Sequence, residues 1–222
     1  MKKDFGTIFD MDGVLVDSEP LWTRAELEIF GEAGLPVTAA DTVQTRGLRI
    51  TEVVDYWYRR WPEKVSTPAQ ELTSAVIRRM VELLNEEAEP CRGAIEAVRA
   101  ASQTSIVGLA TSSPPPIIDA VLDRLGLRNH LAAVSSGENE PFGKPHPAVY
   151  LTTAAKIGIP PTDCVAIEDS VHGVVSAKAA RMICIAVPEP SQRRDPRFGI
   201  ADLVLDSLEE LSADLLSKLC RR

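Results

Sequence analysis

Apolar positions along the chain follow two different rhythms. Between about residues 20 and 87 they recur at helical spacing. Leu21, Ala25, Glu28 and Ile29 open one amphipathic segment, and Val53, Val54, Trp57 and Trp61 mark a second. Leu72, Val76, Met80, Val81 and Leu84 share one face of a third, which starts at Pro68, a residue type favoured in the first turn of a helix. Before this stretch, and again after residue 91, short continuous apolar runs dominate. Residues 6–9, 105–110, 130–134, 164–167, 182–187 and 201–205 read as strands. Residues 94–101, 117–125, 148–157, 174–180 and 208–219 read as helices, two of them stopped by Gly126 and Gly158. Strands without polar alternation are buried on both faces, so the pattern predicts a parallel α/β sheet covered by helices on both sides. The helical stretch interrupts that sheet after its first strand, and Glu86-Glu87-Ala88-Glu89-Pro90 reads as the linker back.

This arrangement makes a positional demand. In open α/β sheets ligands bind outside the carboxyl ends of the strands, so reactive residues should follow strands. The first strand runs into Asp10-Met11-Asp12-Gly13, the second into Thr111-Ser112-Ser113 and the fourth into Glu168-Asp169-Ser170. Lys144-Pro145 lies in the loop after the third. Alone, each of these is an ordinary turn, cap or solvated residue; their joint placement after successive strands points to a site.

The residue types suit phosphate chemistry. A carboxylate is a competent nucleophile at phosphorus, and a second one two residues on is placed for proton transfer, worth about 10²–10⁴-fold in rate. Carboxylates from separate loops suit Mg²⁺, which takes oxygen ligands and offsets repulsion between an anionic nucleophile and an anionic substrate. Thr111 and Ser112 can donate to phosphate oxygens, Lys144 supplies a fixed positive charge, and Gly13 allows a sharp turn after the carboxylates.

Composition narrows the partners. A formal net charge of −8 over 222 residues repels nucleic acid, and an anionic substrate therefore needs local positive charge at its site. With 45% apolar residues, the chain is long enough for one full core and a smaller appended unit. Cys91, Cys164, Cys184 and Cys220 form no CxxC and have no zinc-ligand spacing to histidine, which fits a reducing cytoplasm. No apolar run follows Lys2-Lys3, so a signal peptide is not expected. The uncharged stretch 100–118 carries Ser, Thr, Gln and three prolines and is not expected to span a membrane.

The four motif segments, in this order, resemble the haloacid dehalogenase-like hydrolase superfamily, whose DxDGxxxD pattern here reads Asp10-Met11-Asp12-Gly13-Val14-Leu15-Val16-Asp17. Thr111, Lys144 and Glu168-Asp169 stand at the family's later motifs, and the resemblance covers nearly the whole chain. It implies a Rossmann-like parallel core from residues 1–16 and 88–222 and an inserted helical cap from residues 17–87. Within this superfamily the chain resembles the bacterial hexitol phosphatase and 2-deoxyglucose-6-phosphate phosphatase type. That likeness rests on Asp17-Ser18-Glu19-Pro20-Leu21-Trp22, Arg46-Gly47-Leu48-Arg49, Lys144-Pro145-His146-Pro147 with Val149-Tyr150-Leu151, and Asp195-Pro196-Arg197-Phe198. By this resemblance Asp10 is the nucleophile and a metal ligand, and Asp12 the general acid/base with its carbonyl on the metal. Asp169 is a further Mg²⁺ ligand with Glu168 beside it; Thr111, Ser112 and Ser113 hold the phosphate, and Lys144 orients the nucleophile. Trp22, Arg46 and Arg49 are the cap-side candidates for substrate contact. The expected substrate is a small sugar or hexitol phosphate, the expected cofactor Mg²⁺, and the expected state a cytoplasmic monomer without nucleic-acid or membrane partners.

Rival readings are weaker. A β-phosphoglucomutase-like enzyme would carry a histidine where Trp22 stands. A dehalogenase has no use for Asp12 or Mg²⁺. A P-loop fails on spacing, because five residues separate Gly137 from Gly143 and Pro145 follows Lys144. A catalytically silent interaction module would have lost Asp10 or Asp12, and both are present.

Overall fold

The first apolar run becomes β1 (Gly6–Phe9), buried along its whole length. A computed structural model describes residues 3–64 and 66–220. β1 pairs in parallel with β2 (Ile106–Thr111) on one side and β4 (Cys164–Glu168) on the other. β3 (Ala133–Ser136) adds outside β2, and β5 (Ile183–Ala186) and β6 (Leu203–Val204) add outside β4. The strand order is thus β3-β2-β1-β4-β5-β6, parallel throughout, and it reverses between β1 and β4. A crevice opens at such a reversal, outside the carboxyl ends of the strands.

Successive side chains of each strand go to opposite faces. Phe9, Leu109 and Ile167 join the helices α5 (Ala94–Thr104), α6 (Pro115–Leu125) and α9 (Ala213–Cys220) in one apolar cluster. Ile8, Ala110 and Ala166 join α7 (Ala148–Ile157) and α8 (Val171–Ala179) in the other. The second face is built from small residues, so α7 rides close to the sheet: a methyl added at Gly108 would lie 2.7 Å from Thr153 Cγ2.

Between β1 and β2 the chain forms α1 (Glu19–Glu32), α2 (Ala39–Thr42), α3 (Ile50–Arg60) and α4 (Ala69–Glu87). Their apolar faces meet at Leu21, Ala25, Phe30, Val54, Trp57, Val76, Met80 and Leu84, all buried. Trp57 stacks on Trp61 with ring centroids 5.2 Å apart. The entry and exit of this segment run side by side: Asp17 N donates to Glu89 O at 3.0 Å and Cys91 N to Leu15 O at 3.1 Å.

Several elements differ from the sequence pattern, β6 among them, which keeps only Leu203–Val204 of the expected 201–205. Residues 128–130 form a 3₁₀ turn and the third strand starts only at Ala133, because Ser135 and Ser136 are buried within it. The last helix is divided: Ser207 caps a 3₁₀ turn at Leu208–Glu210, and α9 follows after Leu211 has turned inward. In α1 the buried face is Leu21, Ala25, Glu26 and Phe30, while Glu28 is exposed and pairs with Arg79 at 2.6 Å. The cysteines are free, and among the described residues no helix is long and apolar enough to cross a membrane.

Candidate active site

Asp10 leaves β1 at the strand reversal, its N–H held by Ile167 O of the neighbouring β4 at 2.9 Å. The sheet register therefore fixes the start of the loop. Beneath the Asp10 carboxylate, Lys144 Nζ lies 2.9 Å from Oδ1 and 2.6 Å from Glu168 Oε1. The lysine is 2% exposed and Glu168 fully buried, so solvent screens neither contact. Tyr150 Oη donates to Glu168 Oε1 at 2.5 Å, and Ser170 Oγ to Oε2 at 3.3 Å. Burial opposes the charge on Lys144, but the carboxylates of Asp10 and Glu168 outweigh it and hold the ammonium above the ordinary lysine range.

Asp10, Glu168 and Asp169 each offer a carboxylate oxygen within 4.8 Å of the others. Burial, then Glu168, pushes Asp10 up to about 8, and burial with Asp10 raises Asp169 well above the carboxylate range. Buried negative charge thus exceeds what one lysine offsets. An oxygen-only donor set with surplus charge fits a hard divalent cation. The turn is tailored to this crowding: Gly13 has φ +72°, and a methyl there would lie 2.1 Å from Asp169 Oδ2.

Asp12 takes hydrogen bonds on both oxygens. Ser18 Oγ (2.6 Å) and Trp22 Nε1 (2.9 Å) donate to Oδ1; Ser113 Oγ (2.7 Å) and Thr111 Oγ1 (3.4 Å) approach Oδ2. Ser18 precedes α1 as its cap residue, but its hydroxyl goes to Asp12 and makes no cap bond. Two of these donors come from the helical insertion and two from the end of β2 and the loop after it, so Asp12 is fixed where the two meet.

The remaining expected residues divide. Ser112 lines the cleft, and its Oγ donates to Gly47 O of the insertion at 2.9 Å. Helix α6 begins at Pro115, preceded by Pro114 and followed by Pro116, so its first turn is poor in N–H donors and hydroxyls supply the polarity there. Trp22 and Arg46 line the cleft. Arg46 is paired with Glu19 (2.6 Å) and Glu189 (2.6 Å). Arg49 instead donates to Gly137 O (3.3 Å) and Glu140 O (3.1 Å) and lies outside the lining. Of the histidines, His172 Nδ1 faces Arg46 O at 3.3 Å and His146 packs on Phe142. The enclosed volume is about 60 Å³, room for a few waters.

Besides Ser18 on Asp12, sequence reasoning missed two participants. Tyr150 had no role assigned, although it belongs to the Lys144 loop and helix and faces Glu168. Gly173 is the other: a methyl there would lie 1.9 Å from the Glu168 carboxyl. Gly173→Ala therefore destabilises the protein by about 1–3 kcal/mol, as overpacking does, despite the gain of about 1 kcal/mol in helix propensity. Chemical unfolding measures it, and an unchanged midpoint would show Glu168 free to move.

A family model described as haloacid dehalogenase-like hydrolase matches residues 7–181. Hexitol phosphatase B of Escherichia coli is 47% identical over 212 residues, covering 94% of this chain and 95% of that protein. The crystal structure of CbbY from Rhodobacter sphaeroides in complex with phosphate superposes with a TM-score of 0.82 at 26% identity, covering 95% of this chain and 96% of that one. β-Phosphoglucomutase from Clostridium difficile superposes with a TM-score of 0.85 at 20% identity over 100% of this chain and 98% of that one, a likeness of fold.

Proposed function

The chain belongs to the haloacid dehalogenase-like hydrolase family, and from that premise we propose that it is a Mg²⁺-dependent phosphatase of small sugar phosphates and hexitol phosphates. Sorbitol, mannitol and 2-deoxyglucose 6-phosphates are the expected substrates. The observation that carries the reading is the pairing of two differently held carboxylates: Asp10 against buried Lys144, and Asp12 under hydroxyl and indole donors.

Asp10 attacks phosphorus and forms an acyl phosphate while the bond to the sugar oxygen breaks. Asp12, protonated on Oδ2 once Thr111 and Ser113 have turned to the phosphate, gives that proton to the sugar oxygen, and the sugar leaves as an alcohol. Asp12, now a carboxylate, takes a proton from a water that attacks the same phosphorus. Inorganic phosphate departs and Asp10 is free again. Lys144 orients Asp10 through the 2.9 Å contact and favours its ionised form against burial and Glu168. When substrate enters, the hydroxyls of Thr111 and Ser113 turn from Asp12, and that of Ser112 from Gly47 O, to the phosphoryl oxygens. Asp10, Asp169, the Asp12 carbonyl and Glu168 would hold Mg²⁺, which neutralises charge on the phosphate and on its attacker. Residues 17–87 act as the cap that excludes bulk water over the core formed by 1–16 and 88–222. Trp22, where a mutase would carry a histidine, holds the acid/base. The enzyme acts as a cytoplasmic monomer.

Phosphate release from p-nitrophenyl phosphate and from sorbitol, mannitol, 2-deoxyglucose, glucose and glycolate phosphates, with Mg²⁺ or with EDTA, tests this. Release is expected only with Mg²⁺, fastest on the hexitol and deoxyglucose esters. A folded protein that hydrolyses none of them refutes the phosphatase reading. Trp22→Phe, which removes one donor to a charged acceptor, is expected to lower kcat about tenfold or more and leave the melting temperature within about 4 °C, the shift of roughly 1 kcal/mol. An unchanged kcat would show that the indole does not serve Asp12.

A further inference from the structure

Glu19, Trp22, Thr23 and Glu26 stand at successive helical steps of α1 and line the cleft together. Glu26 is the unusual member. It is 7% exposed, yet among the described residues its Oε2 has no hydrogen-bond partner. A buried polar group left without a partner costs about 1–3 kcal/mol, so its presence calls for a use. Thr42 and Thr45 line the same cleft from the next segment of the insertion. Opposite stand Asp10, Asp12 and Asp169, so among the described residues five carboxyl groups face a space lined by one cation, Arg46, already committed to Glu19 and Glu189.

Resting on the phosphatase reading above, we propose that Glu26 is the specificity residue of this pocket: its buried carboxyl pairs with hydroxyl groups at the end of the substrate remote from the phosphate. Hydroxyls donate to a carboxylate and accept from a carboxylic acid, so a polyol satisfies Glu26 in either state. Burial, with Glu19 adding, raises Glu26 to about 8, and the acid form then both gives and takes a hydrogen bond. A second phosphate or a carboxylate at that end would meet Glu26 and Glu19 without a free cation to offset them. The pocket therefore selects sugar monophosphates with an uncharged polyhydroxyl tail over bisphosphates and phosphocarboxylates.

The test compares wild type with Glu26→Leu and Glu26→Gln. kcat/KM is measured on sorbitol 6-phosphate, on fructose 1,6-bisphosphate and on p-nitrophenyl phosphate, which has no hydroxyl tail, alongside thermal unfolding. In Glu26→Leu the ratio of sorbitol 6-phosphate to p-nitrophenyl phosphate falls at least about tenfold, since substrate hydroxyls are stranded against a methyl group. The melting temperature rises, because an unpartnered carboxyl is gone. Glu26→Gln, which keeps a donor and an acceptor, retains more of the ratio than Glu26→Leu, and the bisphosphate gains relative to sorbitol 6-phosphate in both. A ratio that changes less than tenfold in Glu26→Leu overturns the proposal. So does a parallel loss on both esters with a lowered melting temperature, which marks a packing role. If wild type hydrolyses no ester at all, the phosphatase reading itself fails first, and that outcome is distinct from an active enzyme with an unmoved ratio.

Discussion

Asp10→Asn cuts phosphate release by at least about 10⁴-fold, the scale on which removal of a covalent nucleophile acts, without loosening the fold. Asn has nearly the shape of Asp but cannot attack phosphorus as a carboxylate. Its effect on stability follows from the surroundings. Burial and Glu168 already disfavour the Asp10 charge, and Lys144 keeps Glu168 at 2.6 Å when Asp10 becomes neutral. Thermal unfolding without metal should give a midpoint equal to or above that of wild type. Phosphate release and a trapped phospho-enzyme are the paired measurements: wild type shows both, Asp10→Asn neither. Retained turnover in Asp10→Asn would move the nucleophile elsewhere.

Lys144→Met acts on stability as well as on rate. It removes the single cation set between Asp10 and Glu168, both buried. Breaking a buried pair on one side costs about 3–5 kcal/mol, because the remaining charge has no partner. For a chain of this size that is about 6–20 °C in melting temperature, at roughly 2–4 °C per kcal/mol. Glu168→Gln in the same chain should recover part of the loss, since the stranded charge is then gone and Tyr150 still has an oxygen to donate to. Activity is not expected to recover, because Asp10 remains without its counter-charge. A Lys144→Met protein that melts with wild type would show that the ammonium contributes no net stability, and the rate effect alone would then speak for its role.

Much of this was readable in the residues. Continuous apolar runs ending in acidic or hydroxyl residues located β1, β2 and β4 and the loops they carry, since both signals are local in sequence. The insertion showed through its helical spacing. Less readable was whatever depends on partners far along the chain. Tyr150 and Glu168 are 18 residues apart and meet only because α7 packs on the sheet face beneath the site. Glu26 lies in an amphipathic helix, where an acidic residue normally faces water, and the structure buries it while Glu28 takes the exposed place. The one available hint was its position on the face of Glu19, Trp22 and Thr23. The start of β3 and the break before α9 depend on hydroxyls, Ser136 donating to Ser113 O and Ser207 capping a short turn, which an apolar pattern does not register. Ser112 and Arg49 were legible as polar residues near the site, but their bonds to Gly47 O, Gly137 O and Glu140 O bind the insertion to the sheet edge.

The paired backbones at Asp17–Glu89 and Leu15–Cys91 have a consequence for how such proteins diversify. The helical segment leaves and returns through neighbouring strands of chain, so to the sheet it is a loop of fixed span whatever its contents. A lineage can therefore lengthen, shorten or exchange the segment wholesale while Asp10, Lys144 and Asp169 keep their registry. Transplanting the stretch between these pins from one relative to another should carry preference for a substrate with it when the donors to Asp12, Ser18 and Trp22, are kept in the transplant.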